Sequence, residues 1–225
     1  MDDSIQLQGR RPLKTRGRAW AQALAAALAR RRVAPNAISV ASIAFAALAG
    51  AAFVAWPHAV GWQQPVLLVA AAAGIQLRLI CNLLDGMVAV EGGLRSPTGD
   101  LYNEVPDRIS DSLILIGLGY GLAAWARPLP WSADLGWAAA LTAMLTAYIR
   151  ALGAGLGLPG CFHGPMAKPH RMALLTAAAL ASAALVAFTW TPWILWGALA
   201  LIVAGSLITC ARRLAAIAAF LRART

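Results

Sequence analysis

Two long stretches of this sequence contain no charged residue. Residues 33–77 include no Asp, Glu, Lys or Arg over 45 positions, and residues 172–211 include none over 40. A membrane-spanning helix needs about 20 consecutive apolar residues, so each stretch is long enough for two. Turn-forming residues interrupt the first stretch near 57–64 and the second near 190–193. The sequence therefore predicts two pairs of membrane-spanning helices.

The composition agrees with a membrane protein rather than a soluble one. Hydrophobic residues make up 60% of the 225 positions and charged residues 12%, and the mean hydropathy is +0.66. Soluble domains contain about 25% charged residues. We expect two further spans near 100–125 and 131–152, which gives an all-α integral membrane domain over 33–225 with six transmembrane helices.

The first 32 residues, 1–32, form a separate basic segment. Within it, residues 19–32 are rich in Ala and Leu and end in three arginines. This pattern is typical of a short amphipathic helix that lies in the membrane interface. It also fits a basic anchor that only fixes the topology.

The distribution of positive charge predicts the orientation in the membrane. In the six-helix topology, 18 of the 19 Lys and Arg residues lie on one side, and only Arg127 lies on the other. Because Lys and Arg concentrate in cytoplasmic loops, we expect both termini on the cytoplasmic side of a bacterial-type cytoplasmic (inner) membrane. The same rule accounts for the net charge of +10, so the basic composition does not indicate a nucleic-acid partner.

Acidic residues are concentrated in one short part of the chain. Six of the nine Asp and Glu residues lie between 82 and 111. A carboxylate at the centre of a membrane helix costs about 2.5–3.5 kcal/mol, so acids there usually line a polar cavity or hold an ion. The six are Asp85, Glu91, Asp100, Glu104, Asp107 and Asp111.

The spacing of these side chains predicts a metal site between two helices. Asn82 and Asp85 are three residues apart, and Asn103, Asp107 and Asp111 follow one another every four residues. Each set therefore shares one helix face, and the glycine-rich turn between them makes the helices antiparallel. Carboxylate and amide oxygens converging from two helices suit a hard cation such as Mg²⁺.

Salt bridges between helices are the alternative interpretation of the same acids. Asp85 and Asp107 favour the metal site, because both lie on the polar face of an otherwise apolar helix. The two interpretations are evenly balanced for the acids near the turn. The cations available for salt bridges are Arg78, Arg95 and Arg108.

Residues 82–111 resemble the signature of the CDP-alcohol phosphatidyltransferases. That signature reads D-x-x-D-G-x-x-A-R, then eight residues, then G-x-x-x-D-x-x-x-D. With Asp85 taken as its second Asp, Gly86, Ala89, Gly99 and Asp107 all match at the same spacing. Further segments resemble the phosphatidylinositol-phosphate and phosphatidylglycerol-phosphate synthase branch: Asp107-Arg108-Ile109-Ser110-Asp111, Tyr148-Ile149-Arg150-Ala151, Met166-Ala167-Lys168-Pro169-His170-Arg171 and Ala34-Pro35-Asn36. The resemblance covers nearly the whole chain.

Three positions depart from the signature. Asn82 and Asn103 stand where it has its first and third Asp, and Val90 stands where it has Arg. The site therefore keeps two of the four carboxylates and lacks one positive charge. Arg95 in the turn and Arg78, one helical turn before Asn82, are candidates to replace the missing arginine.

The resemblance implies an activity and an assembly. The family transfers a phosphatidyl group from CDP-diacylglycerol to a small alcohol, releases CMP and usually forms homodimers. For this chain it implies an enzyme of phospholipid biosynthesis that depends on Mg²⁺ or Mn²⁺ and whose active site faces the cytoplasm. The acceptor would be a small alcohol, with or without a phosphate group.

The resemblance also assigns roles to individual residues. Asp107 corresponds to the acid proposed in the family as the base that activates the acceptor hydroxyl. The metal ligands would be Asn82, Asp85, Asn103, Asp107 and Asp111. The CDP-lipid would contact Pro35, Asn36, Gly86, Ala89, Ser96 and Gly99. A phosphate on the acceptor would contact Arg150, Lys168 and Arg171, which also fit the ordinary positive charges of cytoplasmic helix ends.

Two other functions remain open at this point. The amides at 82 and 103 and the Val at 90 fit a family member that has lost catalysis and binds a nucleotide lipid or a metal as a sensor or scaffold. An ion or solute transporter would also place acids within the membrane, but it does not explain the spacing of Gly86, Ala89 and Gly99.

Overall fold

The computed structural model of the chain describes residues 18–90, 92–94, 96–158, 160, 161, 163–188 and 190–224. These residues form seven α-helices and one short 3₁₀ turn, without a strand. The helices are α1 (Ala19–Arg30), α2 (Pro35–Ala55), α3 (Gln63–Val90), α4 (Gly99–Ala123), α5 (Ser132–Gly155), α6 (Lys168–Ala184) and α7 (Thr191–Arg222), and the 3₁₀ turn is Trp56–His58. Glu91, Arg95 and the predicted basic residues before position 18 lie outside the described part of the chain.

Proline and glycine set the ends of the first long helix pair. Pro35 begins α2, a position where its missing N–H costs nothing and its fixed φ suits the helix. The chain turns back after the 3₁₀ segment through Gly61, whose φ of +57° is in the left-handed region that favours glycine. The break predicted at 57–64 is therefore confirmed, and α2 and α3 form an antiparallel pair.

Helix α4 packs against α2 with the two backbones in contact. A Cβ atom added at Gly117 would lie 2.7 Å from both the Cα and the carbonyl oxygen of Gly50. A Cβ added at Gly121 would lie 2.0 Å from the carbonyl oxygen of Phe53. Small residues allow this close approach between membrane helices. Helix α4 therefore lies inside the bundle, although its first half carries four of the six acids found between 82 and 111.

The apolar core closes the bundle at the end far from the acids. Phe53, Leu68, Leu118 and Leu122 are completely buried there. The rings of Trp56 and Trp125 stack with centroids 4.7 Å apart and planes 13° apart.

Helix α1 packs beside the ends of α2 and α3. Ala21 and Ala25 are buried against a cluster that includes Met87 and Val88. Its other face exposes apolar side chains, with Trp20 43% exposed. The predicted helix is present over Ala19–Arg30, and its exposed apolar face suits a membrane interface.

Four of the helical segments are long and apolar enough to cross a membrane, within the residues that the structure describes. They are Pro35–His58, Gln63–Val90, Ser132–Gly155 and Thr191–Arg222. The other two predicted spans correspond to α4, which carries acids over its first half, and to α6, which has 17 residues. Large exposed side chains such as Leu48, Leu141 and Leu201 give the bundle an apolar outer surface. An all-α protein with membrane-length apolar helices is confirmed.

Candidate active site

Asp85 connects the end of α3 to the start of α2. Its carboxylate is buried and accepts a hydrogen bond from Ser39 Oγ at 2.5 Å. Ser39 lies one turn after Pro35 and also contacts the Pro35 carbonyl oxygen at 3.3 Å. The two helices therefore meet at a buried polar contact, near the residues predicted to bind the nucleotide.

Asp107 lies where α3, α4 and α6 converge. One carboxylate oxygen, Oδ1, accepts a hydrogen bond from Asn82 Nδ2 and lies 3.4 Å from Arg78 NH2. The other oxygen, Oδ2, is paired with the Lys168 ammonium group. The side chain of Asp107 is 9% exposed. Asn82 and Asp107, predicted to face each other, are thus in direct contact.

Asp111 lies one turn further along α4 between two buried arginines. Its oxygens are 2.5 Å from Arg78 NH2 and 3.0 Å from Arg171 NH2. Arg171 also donates to the Met166 carbonyl oxygen at 2.9 Å and to Thr146 Oγ1 at 3.3 Å. Buried charges persist only when they are paired and hydrogen-bonded. The salt-bridge interpretation therefore describes Asp111 in this structure, and its role as a metal ligand stays a prediction.

The predicted nucleotide-binding residues meet near the surface. Asn36 Nδ2 lies 3.3 Å from Ser96 Oγ and 3.4 Å from Thr98 Oγ1. These contacts connect the start of α2 to the turn that leads into α4. A Cβ atom added at Gly99 would meet only Ser96 Oγ, at 3.9 Å, so open space lies beside this glycine. Pro35, Gly86 and Ala89 are partly buried in the same region.

The three cations predicted for an acceptor phosphate differ in exposure. The side chains of Arg150 and Lys168 are 33% and 25% exposed, whereas that of Arg171 is 2% exposed. Arg150 pairs with Glu104 at 2.5 Å, and Glu104 also pairs with Arg108 one turn along α4. Of the three, Arg150 and Lys168 are therefore partly exposed, each in an ion pair with an acid of α4, and Arg171 is buried.

The donor set fits one divalent ion better than two. The four signature positions supply two carboxylates, Asp85 and Asp107, and both are buried. Asn82 turns its NH₂ group rather than its oxygen toward Asp107, and Asn103 is exposed. No group of three or more His, Cys, Asp or Glu side chains that would hold a metal ion occurs among the described residues. One or two carboxylates hold Mg²⁺ when substrate phosphates complete its coordination.

Several polar contacts of the site were not among the predicted site residues. Ser39 lies three residues after Asn36, and this helical spacing places it on the same face, which is a usable signal. Arg213 of α7 donates to the Thr146 carbonyl oxygen at 2.5 Å and to the His163 carbonyl oxygen at 3.1 Å. Its position in the sequence gives no sign of this contact, because Arg212 and Arg213 fit an ordinary basic stretch after the last apolar run.

Comparison with known proteins supports the sequence resemblance. No protein-family model and no curated protein matches the chain. Crystal structures of the phosphatidylinositol phosphate synthase from Mycobacterium tuberculosis do match it. The structure with CDP-DAG bound is 26% identical, has a TM-score of 0.69, and the match covers 88% of this chain and 92% of that one.

Two other structures of the same enzyme give similar values. The complex with manganese and citrate has a TM-score of 0.70 and 26% identity, and 88% of each chain is covered. The apo form has a TM-score of 0.65 and 26% identity, with 85% of this chain and 92% of that one covered. The chain thus shares its fold with a CDP-alcohol phosphatidyltransferase, and its resemblance to that family is confirmed.

Proposed function

We propose that this protein transfers a phosphatidyl group from CDP-diacylglycerol to a small alcohol and releases CMP. The observation that carries the proposal is Asp107, a buried carboxylate at the junction of three helices, in the fold of an enzyme whose structure contains CDP-DAG. The alcohol oxygen forms a bond to the phosphorus that bears the diacylglycerol. The bond from that phosphorus to the CMP oxygen breaks, and CMP leaves with the electron pair.

Asp107 is the proposed base for the acceptor hydroxyl. A general base must lie within hydrogen-bond reach of the proton that it removes. Oδ2 of Asp107 is the proposed atom, because its partner Lys168 is partly exposed, at 25%, and a flexible lysine side chain can exchange one anionic partner for another. Asn82 and Arg78 hold the other oxygen, so the carboxylate keeps its orientation when Lys168 leaves.

The nucleotide would bind between α2 and the turn before α4. Asn36, Ser96 and Thr98 offer polar groups there, and Gly99 leaves room for close approach. Pro35, Gly86 and Ala89 complete the proposed CDP-lipid site. An anionic group on the acceptor would contact Lys168 and Arg150, with buried Arg171 keeping Asp111 in place.

Asp85 and Asp107 are the proposed ligands of one Mg²⁺ or Mn²⁺ ion, together with the diphosphate of the substrate. Asn82, Asn103 and Asp111 remain candidates for weaker or indirect contacts. A divalent ion at this place neutralises the diphosphate and stabilises CMP as a leaving group. A neighbouring structure was solved with manganese, which supports a divalent cofactor for this fold.

The proposal includes a location and an assembly. Helices α2–α7 would span a bacterial-type inner membrane six times, with both termini and the active site on the cytoplasmic side and α1 in the interface. The polar contacts support this arrangement, since they gather at alternate ends of consecutive helices: the start of α2, the end of α3, the start of α4, the end of α5 and the start of α6. A homodimer is expected from the resemblance.

CMP release tests the reaction directly. We expect the full chain in nanodiscs, with CDP-diacylglycerol and Mg²⁺ or Mn²⁺, to release CMP with at least one member of a panel of small alcohols and their phosphates. Asp107→Asn should lower kcat by about 100-fold or more, the usual contribution of a positioned general base. Asp134→Asn, at an exposed position of α5, is the matched control. Unchanged turnover in the Asp107 variant would contradict its role.

A nucleotide-lipid sensor is the second candidate function. It is favoured by Asp107, whose two oxygens are both paired with groups of the protein itself. A sensor would bind CDP-diacylglycerol and release no CMP with any acceptor in the panel. Restoring the carboxylates with Asn82→Asp and Asn103→Asp would then be expected to produce activity.

A further inference from the structure

Lys168 occupies an unusual place for a positive charge. It is the first residue of α6, and no acid lies in the first turn of that helix. A cation at a helix N-terminus is disfavoured by about 0.3–1 kcal/mol, because the helix dipole is positive there. The ammonium group nevertheless lies against Asp107 Oδ2. Its position is thus set by that carboxylate rather than by its own helix.

The charges around Asp107 are balanced by the protein alone. Three carboxylates, Asp85, Asp107 and Asp111, are buried in this region. Three cations, Arg78, Lys168 and Arg171, pair with Asp107 or Asp111. A site with four signature carboxylates would carry two more negative charges, which one divalent cation would neutralise. The amides at 82 and 103 remove that excess.

We propose that the ammonium group of Lys168 takes the place of a divalent ion at Asp107, so that the ligand-free site binds such an ion only together with a diphosphate. The identity of that diphosphate as part of a CDP-lipid rests on the proposed function. The diphosphate brings the negative charge that the amides at 82 and 103 lack. It also offers Lys168 a second anionic partner, and a flexible ammonium group with three donors can move to it.

Lys168 has one partner in the free site and another when a diphosphate is bound. While the site is free, Lys168 and Asn82 together cover both oxygens of Asp107. When a diphosphate binds, transfer of Lys168 to the phosphate oxygens uncovers Oδ2. The carboxylate is then free for an acceptor hydroxyl or a metal ion. Arrival of the nucleotide therefore prepares the proposed base.

Manganese binding to the purified full chain, measured by calorimetry without nucleotide, tests the inference. The wild type should bind Mn²⁺ weakly. Lys168→Met should bind Mn²⁺ at least about tenfold more tightly. Removal of a unit positive charge a few ångströms away changes the free energy of Mn²⁺ binding by more than about 1.4 kcal/mol. The double variant Asn82→Asp/Asn103→Asp should also gain about tenfold or more by the same argument.

Two control variants separate this effect from general loss of charge. Lys168→Arg keeps the cation and should bind Mn²⁺ as the wild type does. Arg108→Met removes a cation that pairs with Glu104 rather than with Asp107, and it should also match the wild type. If Lys168→Met does not fold, Lys168→Gln, which removes the charge and keeps a polar side chain, makes the same comparison.

The nucleotide experiment uses CDP, which carries the diphosphate without the lipid. Saturating CDP should tighten Mn²⁺ binding to the wild type about tenfold or more, after subtraction of Mn²⁺ bound by CDP alone. Because coupling is reciprocal, Mn²⁺ should tighten CDP binding by the same factor. Tight Mn²⁺ binding to the free wild type, unchanged in Lys168→Met and in the double Asp variant, would overturn the inference.

The outcomes distinguish this inference from the proposed function. The expected Mn²⁺ results without CMP release from any acceptor would leave the role of Lys168 standing and contradict the transferase. CMP release together with tight nucleotide-independent Mn²⁺ binding would leave the transferase standing and contradict the role of Lys168.

Discussion

Asp111 shows how far single residues can be interpreted from spacing. Its four-residue distance from Asp107 correctly places both on the inner face of α4. The spacing does not reveal which groups of other helices lie opposite. Those groups are Arg78 and Arg171, which lie 33 and 60 positions away in the sequence. Pairing between helices depends on how they dock, and periodicity within one helix does not contain that information.

Asp111→Asn should destabilise the protein strongly. The substitution leaves two buried arginines without their shared counter-charge, which typically costs about 3–5 kcal/mol. Glu104→Gln is the matched control, because the Glu104 side chain is 43% exposed and exposed ion pairs contribute about 0–1 kcal/mol. Denaturant unfolding in detergent measures both variants. Equal stability of the two would show that Asp111 is not a structural residue.

The helices themselves follow closely from the sequence, whereas their ends do so only in part. The uncharged stretches predict α2, α3 and α7 well, because apolar length alone requires them. Helix α6 begins at Lys168, four residues before the uncharged stretch, since Pro169 suits a first helical turn. The charged residues that flank an apolar run are thus part of the helix, and their side chains contribute to the candidate site.

Gly117→Ala should disturb the α2–α4 contact. The added Cβ meets the Gly50 backbone at 2.7 Å, so the helices must separate, at a typical cost of about 1–3 kcal/mol. Gly197→Ala is the control, because nothing lies within 4 Å of its Cβ position; there alanine should stabilise the helix by up to about 1 kcal/mol. Thermal unfolding of both variants provides the comparison, and equal melting temperatures would contradict the close contact.

The whole bundle has one polar end and one apolar end. Charged contacts gather around Asp107, and the Trp56–Trp125 stack closes the opposite end. The sequence predicts this polarity through the distribution of Lys and Arg. It does not predict which of those cations enter the interior: Arg78 and Arg171 are buried, while others such as Arg31 remain exposed.

Cysteine labelling tests the proposed orientation. The three native cysteines, Cys81, Cys161 and Cys210, are at most 9% exposed, so they give little background. Trp62→Cys, at a position 74% exposed between α2 and α3, should react with a membrane-impermeant thiol reagent in intact cells. Arg31→Cys, exposed at the end of α1, should react only after the membrane is opened. The reverse pattern would contradict cytoplasmic termini.

The ion pairs between α4 and α6 also have a consequence for how the chain is made. Helices α4 and α6 are the two proposed spans that are not among the four helices long and apolar enough to cross a membrane. Each charged residue at mid-membrane depth costs about 2.5–3.5 kcal/mol during insertion, and α4 leaves the ribosome before its partners Lys168 and Arg171 exist. In the proposed six-span topology, Arg78 of α3 is already present to pair with Asp107 and Asp111, and we expect α6 to complete the stable insertion of α4. The last quarter of the polypeptide would thus complete the integration of its middle, and truncation before α6 should leave α4 less stably inserted in the bilayer.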